Sequence, residues 1–396
     1  MNKMSQKYMQ IGVDGEKAYA RKVSLDKLRM VDAVIFDCDG VLIDIRESYN
    51  LAISETVSYI VEELTGFRLS QNMVSKEIIY LFKKSGGFNN DWDLAYAALM
   101  LILCCLPDEF QEVFEKNVNI SKSEGDLLKR FISVKKGVRS KYNPKCLAKA
   151  ITKLENTLKQ LAKACDASGI TSIESKIINL TNAPKSCQKF YATAKSFLLY
   201  PGDVGESILT TVFEEKFCGS ILFKETYGRE PKFYQGKGLI ENEKAIIRPQ
   251  TLNQLEFMFG KMNFGIASGR SLKLGEHALN ELLGKFNSKA LIFFGGIEAV
   301  KLGKPNPFSL LQSSEGLKPF NYALYVGDAM EDALMVKEAN RTTPCFLFAG
   351  VYGYSDCKDD VVRDFLAEGA DAILPSVNEL PAVLKTVKGE KCRENS

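Results

Sequence analysis

From residue 263 to the end of the sequence, short apolar runs alternate with stretches whose apolar positions recur every three or four residues. The runs Phe264–Ala267, Ala290–Phe294, Ala323–Val326, Cys345–Ala349 and Ala372–Leu374 read as strands. The stretches at about 272–284, 307–314, 330–340, 360–367 and 378–387 read as helices. Such alternation predicts a parallel sheet with helices on both faces. One more strand-like run, Ala33–Phe36, lies far upstream. Between it and residue 263 the pattern is helical, at about 46–64, 92–105, 185–199 and 203–217. Leu147, Ile151, Leu154, Leu158, Leu161 and Cys165 mark a further amphipathic helix, entered through Asn143 as N-cap and Pro144 at the first helical position. The simplest assembly is a doubly wound α/β domain made of residues 1–46 plus 256–396, interrupted by a large, mainly helical insertion at 47–255.

Composition narrows the class. In 396 residues, 45% are hydrophobic and 26% charged, an ordinary globular balance that excludes a disordered chain or a disulfide-stapled scaffold. The longest apolar run, Ala97 to Leu106, falls short of the roughly 20 residues of a membrane span and reads as a buried helix. The first thirty residues carry charges throughout and no apolar stretch of signal-peptide length, so a cytoplasmic location is expected. The cysteines show no CxxC spacing and there is one histidine, His277, which argues for reduced, mostly buried thiols over a zinc site. Residues 111–200 hold 17 Lys+Arg against 7 Asp+Glu, which sets this part of the insertion apart. A solvated helix surface is the expected reading of these lysines, with electrostatic attraction for anionic substrates as the alternative; no RNA-binding signature or basic-aromatic interleaving supports nucleic-acid binding.

Candidate chemistry gathers at strand ends. Val34-Ile35-Phe36 runs into Asp37, Cys38, Asp39 and Gly40, so two carboxylates leave the carboxyl end of a strand on one side, where ligands sit in open α/β sheets. Asp328 and Asp332 follow the strand ending at Val326. Oxygens converging from two strand ends suit a hard divalent cation such as Mg²⁺, held by carboxylates together with a substrate phosphate. Ser268 and Gly269 present a hydroxyl and backbone N–H groups to a phosphate oxygen, and Lys304 can neutralise both the phosphate and the carboxylates. A Walker A loop is ruled out around Lys304, because Pro305 stands where Ser or Thr is needed.

In this order and placement the four segments resemble the motifs of the haloacid dehalogenase superfamily: an Asp nucleophile in DxDG, a Ser/Thr, a Lys, and a GDxxxD acidic pair. The long insertion between the first and second motifs looks like the cap of that superfamily's subfamily I. The resemblance implies a Rossmann-like core and a Mg²⁺-dependent phosphatase acting on a small phosphorylated metabolite. It implies Asp37 as nucleophile and Asp39 as general acid and base. Mg²⁺ would be held by Asp37, the Asp39 carbonyl, Asp328 and Asp332, and the phosphoryl group by Ser268, Gly269 and Lys304. A phosphomutase would use the same chemistry, and a non-catalytic binding protein on the same fold is the reading of a different class.

The segment Lys83–Trp92 carries the only tryptophan, with two glycines and polar residues ahead of the apolar helix. It can be a turn with an N-cap. Alternatively, cap loops in subfamily I contact the leaving group, which would give Lys83, Asn90 and Trp92 a part in substrate recognition.

Overall fold

The computed structural model describes residues 7–70, 73–88, 90–141, 153–181, 184–295 and 302–389. The chain divides into two compact units, one formed by Met1–Arg46 with Glu243–Ser396, the other by Glu47–Asn242.

The first unit is built on an eight-stranded sheet. Its strands are β1 (Tyr8–Val13), β2 (Glu16–Arg21), β3 (Val31–Phe36), β6 (Phe264–Ser268), β7 (Leu291–Phe293), β8 (Tyr322–Gly327), β9 (Phe346–Val351) and β10 (Ala372–Leu374), and a small separate ladder pairs β4 (Ile43–Asp44) with β5 (Lys244–Ala245). The order across the sheet is β1-β2-β10-β9-β8-β3-β6-β7. From β10 to β7 all neighbours are parallel. Strand order runs outward from β3 in both directions, through β6 to β7 and through β8 to β10, so the chain reverses its winding beside β3. This is the doubly wound arrangement, with the ligand crevice expected at the carboxyl ends next to the reversal. Both faces of the inner strands are covered, and Val34, Ile35 and Phe36 are wholly buried. Continuous apolar runs, rather than alternating ones, are what such strands require.

The hairpin β1–β2 is absent from the pattern reading. Its turn is Asp14-Gly15, both in the left-handed region with φ of 42° and 79°, which is the backbone a two-residue hairpin needs. β2 then pairs antiparallel with β10 and closes that edge of the parallel array.

The second unit is helical among its described residues. Helix Asp91–Cys104 is buried from Leu94 to Cys104 on every side, as a helix that is apolar all round must be. Helices Tyr49–Thr65, Pro184–Leu198 and Ile208–Tyr227 pack against it. The last of these was expected at 203–217. It starts later because Ser207 provides the N-cap, its hydroxyl accepting from Thr210 N at 3.3 Å. It runs on past Gly219, which interrupts it at φ 71° and ψ 171°. A side chain there would lie 2.2 Å from the Gly238 backbone nitrogen, so glycine is the residue that admits this contact. Helices Lys76–Lys84, Asp108–Ile120, Leu127–Arg139 and Ile173–Leu180 were not anticipated. Of the helix read from Leu147 to Cys165, Leu154–Ala164 is present, and the proposed cap at Asn143 and Pro144 lies outside the described residues. No helix among the described residues is long and apolar enough to cross a membrane.

Candidate active site at the carboxyl end of the sheet

Asp37 follows β3 directly, and its N–H donates to Val326 O of β8 at 2.8 Å, which extends the ladder by one bond and fixes the backbone of the carboxylate. Beyond it the chain folds back tightly: Leu42 N and Ile43 N both donate to Cys38 O, at 2.8 and 3.0 Å. Gly40 takes φ of 73° in this turn, and a Cβ on it would stand 2.0 Å from Asp328 Oδ2. The glycine therefore does two jobs, allowing the left-handed turn and leaving room for a carboxylate from the neighbouring strand end. Cys38 is wholly buried and serves through its backbone carbonyl.

Lys304 is the electrostatic centre. Its Nζ lies 2.7 Å from Asp37 Oδ1 and 2.7 Å from Asp332 Oδ1, and its side chain is 7% exposed. Burial works against the lysine's charge, but Asp332 and Asp37 outweigh it and hold its pKa well above the ordinary value. Asp37 shows the opposite balance. Burial raises its pKa to about 7; Lys304 opposes this, and the nearby Asp332 and Asp39 add to it. Asp332 is itself pinned, since its Oδ2 accepts from Asp328 N and Ala329 N, each at 3.0 Å, at the start of helix Met330–Thr342. The Tyr325 hydroxyl, 3.2 Å from Asp332 Oδ1, steadies its other oxygen.

The structure thus brings Asp37, Asp328, Asp332 and Lys304 together from three loops. Carboxylate oxygens of the three aspartates all lie within 4.8 Å of one another. A set of hard, anionic oxygen donors with space kept open by Gly40 fits a divalent cation of the Mg²⁺ or Mn²⁺ kind. Asp328 has the more accessible carboxylate of the acidic pair, whereas Asp332 is wholly buried and already bonded on both oxygens.

Ser268 ends β6, the neighbour of β3, and is 2% exposed; its Oγ accepts from Arg270 N at 3.3 Å. Gly269 has neither a positive φ nor a crowded Cβ position, so its contribution to an anion site rests on its N–H alone. Asp39 is held by a residue to which the sequence reading assigned no role. Arg270 Nε and Nη2 converge on Asp39 Oδ1 at 2.8 and 2.6 Å. The other side of the same guanidinium meets Glu243 in a two-pronged pair, at 2.8 Å on each prong. Both side chains are buried, Arg270 at 0% and Glu243 at 2% exposure. A planar guanidinium is the group that can bridge two carboxylates in this way. The only signal in the sequence was an arginine two residues after the motif serine; nothing local marks Glu243.

Lys83, Asn90 and Trp92 belong to the helical unit and are engaged within it. The Asn90 side chain accepts from Trp92 N at 2.9 Å, an N-cap for helix Asp91–Cys104. Trp92 Nε1 donates to the buried Glu214 Oε1 at 2.9 Å, and Lys83 pairs with Asp91 at 3.1 Å. Of the eight described cysteines, Cys38, Cys104, Cys187 and Cys218 are buried. His277 lies in helix Leu272–Leu279.

No family model and no curated protein matches this sequence. Two solved structures are similar to this chain. One is a protein whose X-ray structure was determined as Northeast Structural Genomics Consortium target ZR25, with TM-score 0.61 and 17% identity over 90% of this chain and 99% of that one. The other is the phosphatase Tt82 from Thermococcus thioreducens, with TM-score 0.44 and 18% identity over 85% of this chain and 99% of that one. The first likeness shows a shared fold over most of both chains.

Proposed function

We propose that the chain is a Mg²⁺-dependent phosphatase of a small phosphorylated metabolite, working in the manner of haloacid dehalogenase phosphatases of subfamily I. The observation that carries this reading is the placement of Asp37 beside Lys304, Asp328 and Asp332, with Asp39 two residues on and separately held by Arg270.

Asp37 attacks phosphorus, forming a P–O bond as the bond to the substrate's leaving oxygen breaks, which divides the reaction into two displacements. Asp39 gives its proton to that leaving oxygen. It then takes a proton from the water that attacks the aspartyl-phosphate, and inorganic phosphate leaves as Asp37 is restored. Arg270 holds Asp39 Oδ1, which leaves Oδ2 as the oxygen that exchanges the proton. Ser268 and the Gly269 N–H bind phosphoryl oxygens, and Lys304 compensates charge on both sides of the transfer. Asp37, Asp328, Asp332 and the Asp39 carbonyl would hold Mg²⁺, which would supply neutralisation of the phosphoryl charge. Lys304 also counters the burial that favours a protonated Asp37, and so supports the carboxylate as nucleophile.

The test is hydrolysis of p-nitrophenyl phosphate with and without Mg²⁺, together with acid-quench trapping of a phosphoryl-enzyme. The reading expects activity that chelator removes, a trapped acyl-phosphate, and for Asp37→Asn less than roughly a hundredth of the wild-type rate. Hydrolysis that survives excess chelator, or a vigorous Asp37→Asn variant, would overturn it.

A further inference from the structure

A cavity lies entirely within the helical unit, with a volume of about 280 Å³. One wall is helix Tyr49–Thr65, which contributes Glu55, Ser58, Tyr59 and Glu62; the following loop contributes Arg68 and helix Ile208–Tyr227 contributes Lys216.

Lys216 has a side chain only 10% exposed, and its Nζ meets Glu55 Oε2 at 3.1 Å. The rings of Tyr59 and Tyr234 lie 5.1 and 4.8 Å from the same nitrogen. An ammonium has three donors, and among the described residues one is taken by a carboxylate while the rings supply only their faces. A largely buried ammonium at a cavity wall can direct its remaining donors to a ligand in the cavity.

This geometry is built rather than incidental. Glu215, wholly buried, accepts from the backbone N–H groups of Lys232, Phe233 and Tyr234 at 2.7, 2.6 and 2.8 Å, which pins the segment that brings Tyr234 to Lys216. The Tyr59 hydroxyl donates to Phe233 O at 3.1 Å and fixes the second ring.

The cavity's charges are balanced. Lys216 and Glu55 neutralise each other, while Arg68 and Glu62 present opposite charges that no described residue engages through the side chain. A phosphorylated anion would meet two carboxylates here with no excess of positive charge, so the cavity does not match the substrate class proposed for the sheet unit. A molecule carrying one carboxylate and one ammonium does match: the carboxylate takes the spare donors of Lys216 and Arg68, and the ammonium takes Glu62 and the Ser58 hydroxyl. The volume admits a molecule of amino-acid size.

We propose that this cavity is a binding site for a free α-amino acid, independent of the chemistry at the sheet. The experiment uses the full chain. The proteinogenic L-amino acids are screened one by one at millimolar concentration by saturation-transfer NMR, and hits are titrated calorimetrically. Acetate, methylamine and succinate serve as comparison probes. At least one amino acid is expected to bind, with each comparison probe about tenfold weaker or more. Arg68→Gln and Glu62→Gln are each expected to weaken binding by about tenfold, and Ser58→Val to do so by filling space without removing a charge. Arg68 is exposed, so its substitution leaves the helical packing intact, and unchanged circular dichroism checks each variant. Absence of binding by every amino acid overturns the proposal. So does tighter binding of succinate, or an affinity that none of the three variants alters.

Discussion

Lys304→Met removes one charge from a site where two buried carboxylates depend on it. The replaced side chain is 7% exposed, and the carboxylates it meets are 9% and 0% exposed, so water does not compensate for its loss. Deleting one partner of such a buried cluster costs about 3–5 kcal/mol when the remaining groups are charged. The cost must depend on pH. Asp37 already has a pKa raised from 3.8 to about 7, so its protonated form favours the folded state below the ordinary carboxylate range, and that contribution is lost as pH rises through about 7. Without Lys304 its pKa rises further. At pH 5 Asp37 is neutral with or without Lys304, so the destabilisation is smaller there and comes mainly from the buried Asp332 losing its ammonium partner. At pH 8, above the wild-type pKa of Asp37, the loss is larger. The measurement is urea unfolding in excess chelator, followed by hydrogen exchange at amides of β3 and β8, because Trp92 reports on the helical unit instead. An equal loss at the two pH values, or a larger one at pH 5, would refute the electrostatic account and leave only lost packing.

Further expectations follow from single contacts. Gly40→Ala places a Cβ against Asp328 and forces a left-handed alanine, costing about 1–2 kcal/mol from the backbone alone; calorimetry should show Mg²⁺ binding weakened, and an unchanged affinity would mean Asp328 is not a ligand. Arg270→Met strands the buried Glu243 and should cost about 3–5 kcal/mol in urea unfolding, with part recovered when Glu243→Met is added; simple additivity of the two losses would contradict the pairing. Asn90→Ala removes an N-cap and should cost about 1 kcal/mol by Trp92 fluorescence, with phosphatase rates unchanged; a lower rate at unaltered stability would favour a role in substrate recognition instead.

What could be read from the sequence follows from where the determinants lie. Continuous apolar runs locate the inner parallel strands, because burial on both faces leaves no polar alternation to obscure them. Asp37, Asp328 and Asp332 could be placed at strand ends for the same reason, and the structure collects them within one site. The β1–β2 hairpin was missed although Asp14-Gly15 is a strong two-residue turn signal, because its strands mix buried with exposed, polar positions instead of forming continuous apolar runs. Arg270 and Glu243 lay beyond reach for another reason. Their pairing joins residues 27 positions apart around Asp39, and nothing in either local pattern announces a tertiary contact. The extent of the second unit's helices was also hard to see, since helices such as Lys76–Lys84 and Leu127–Arg139 have few buried positions each.

The two-stranded ladder of β4 and β5 has a consequence for chain length. Ile43 pairs with Ala245 and Asp44 with Lys244, so the chain leaves the sheet unit and re-enters it at adjacent points of one antiparallel ladder. A segment entered and left through neighbouring residues imposes almost no geometric demand on its host, whatever its own size. The entropy of closing such a loop grows only logarithmically with the residues enclosed, by about 0.6 kcal/mol for each doubling. The ladder therefore acts as a socket: segments of very different length and fold could be exchanged there while the strand ends carrying Asp37, Ser268, Lys304 and Asp328 keep their register.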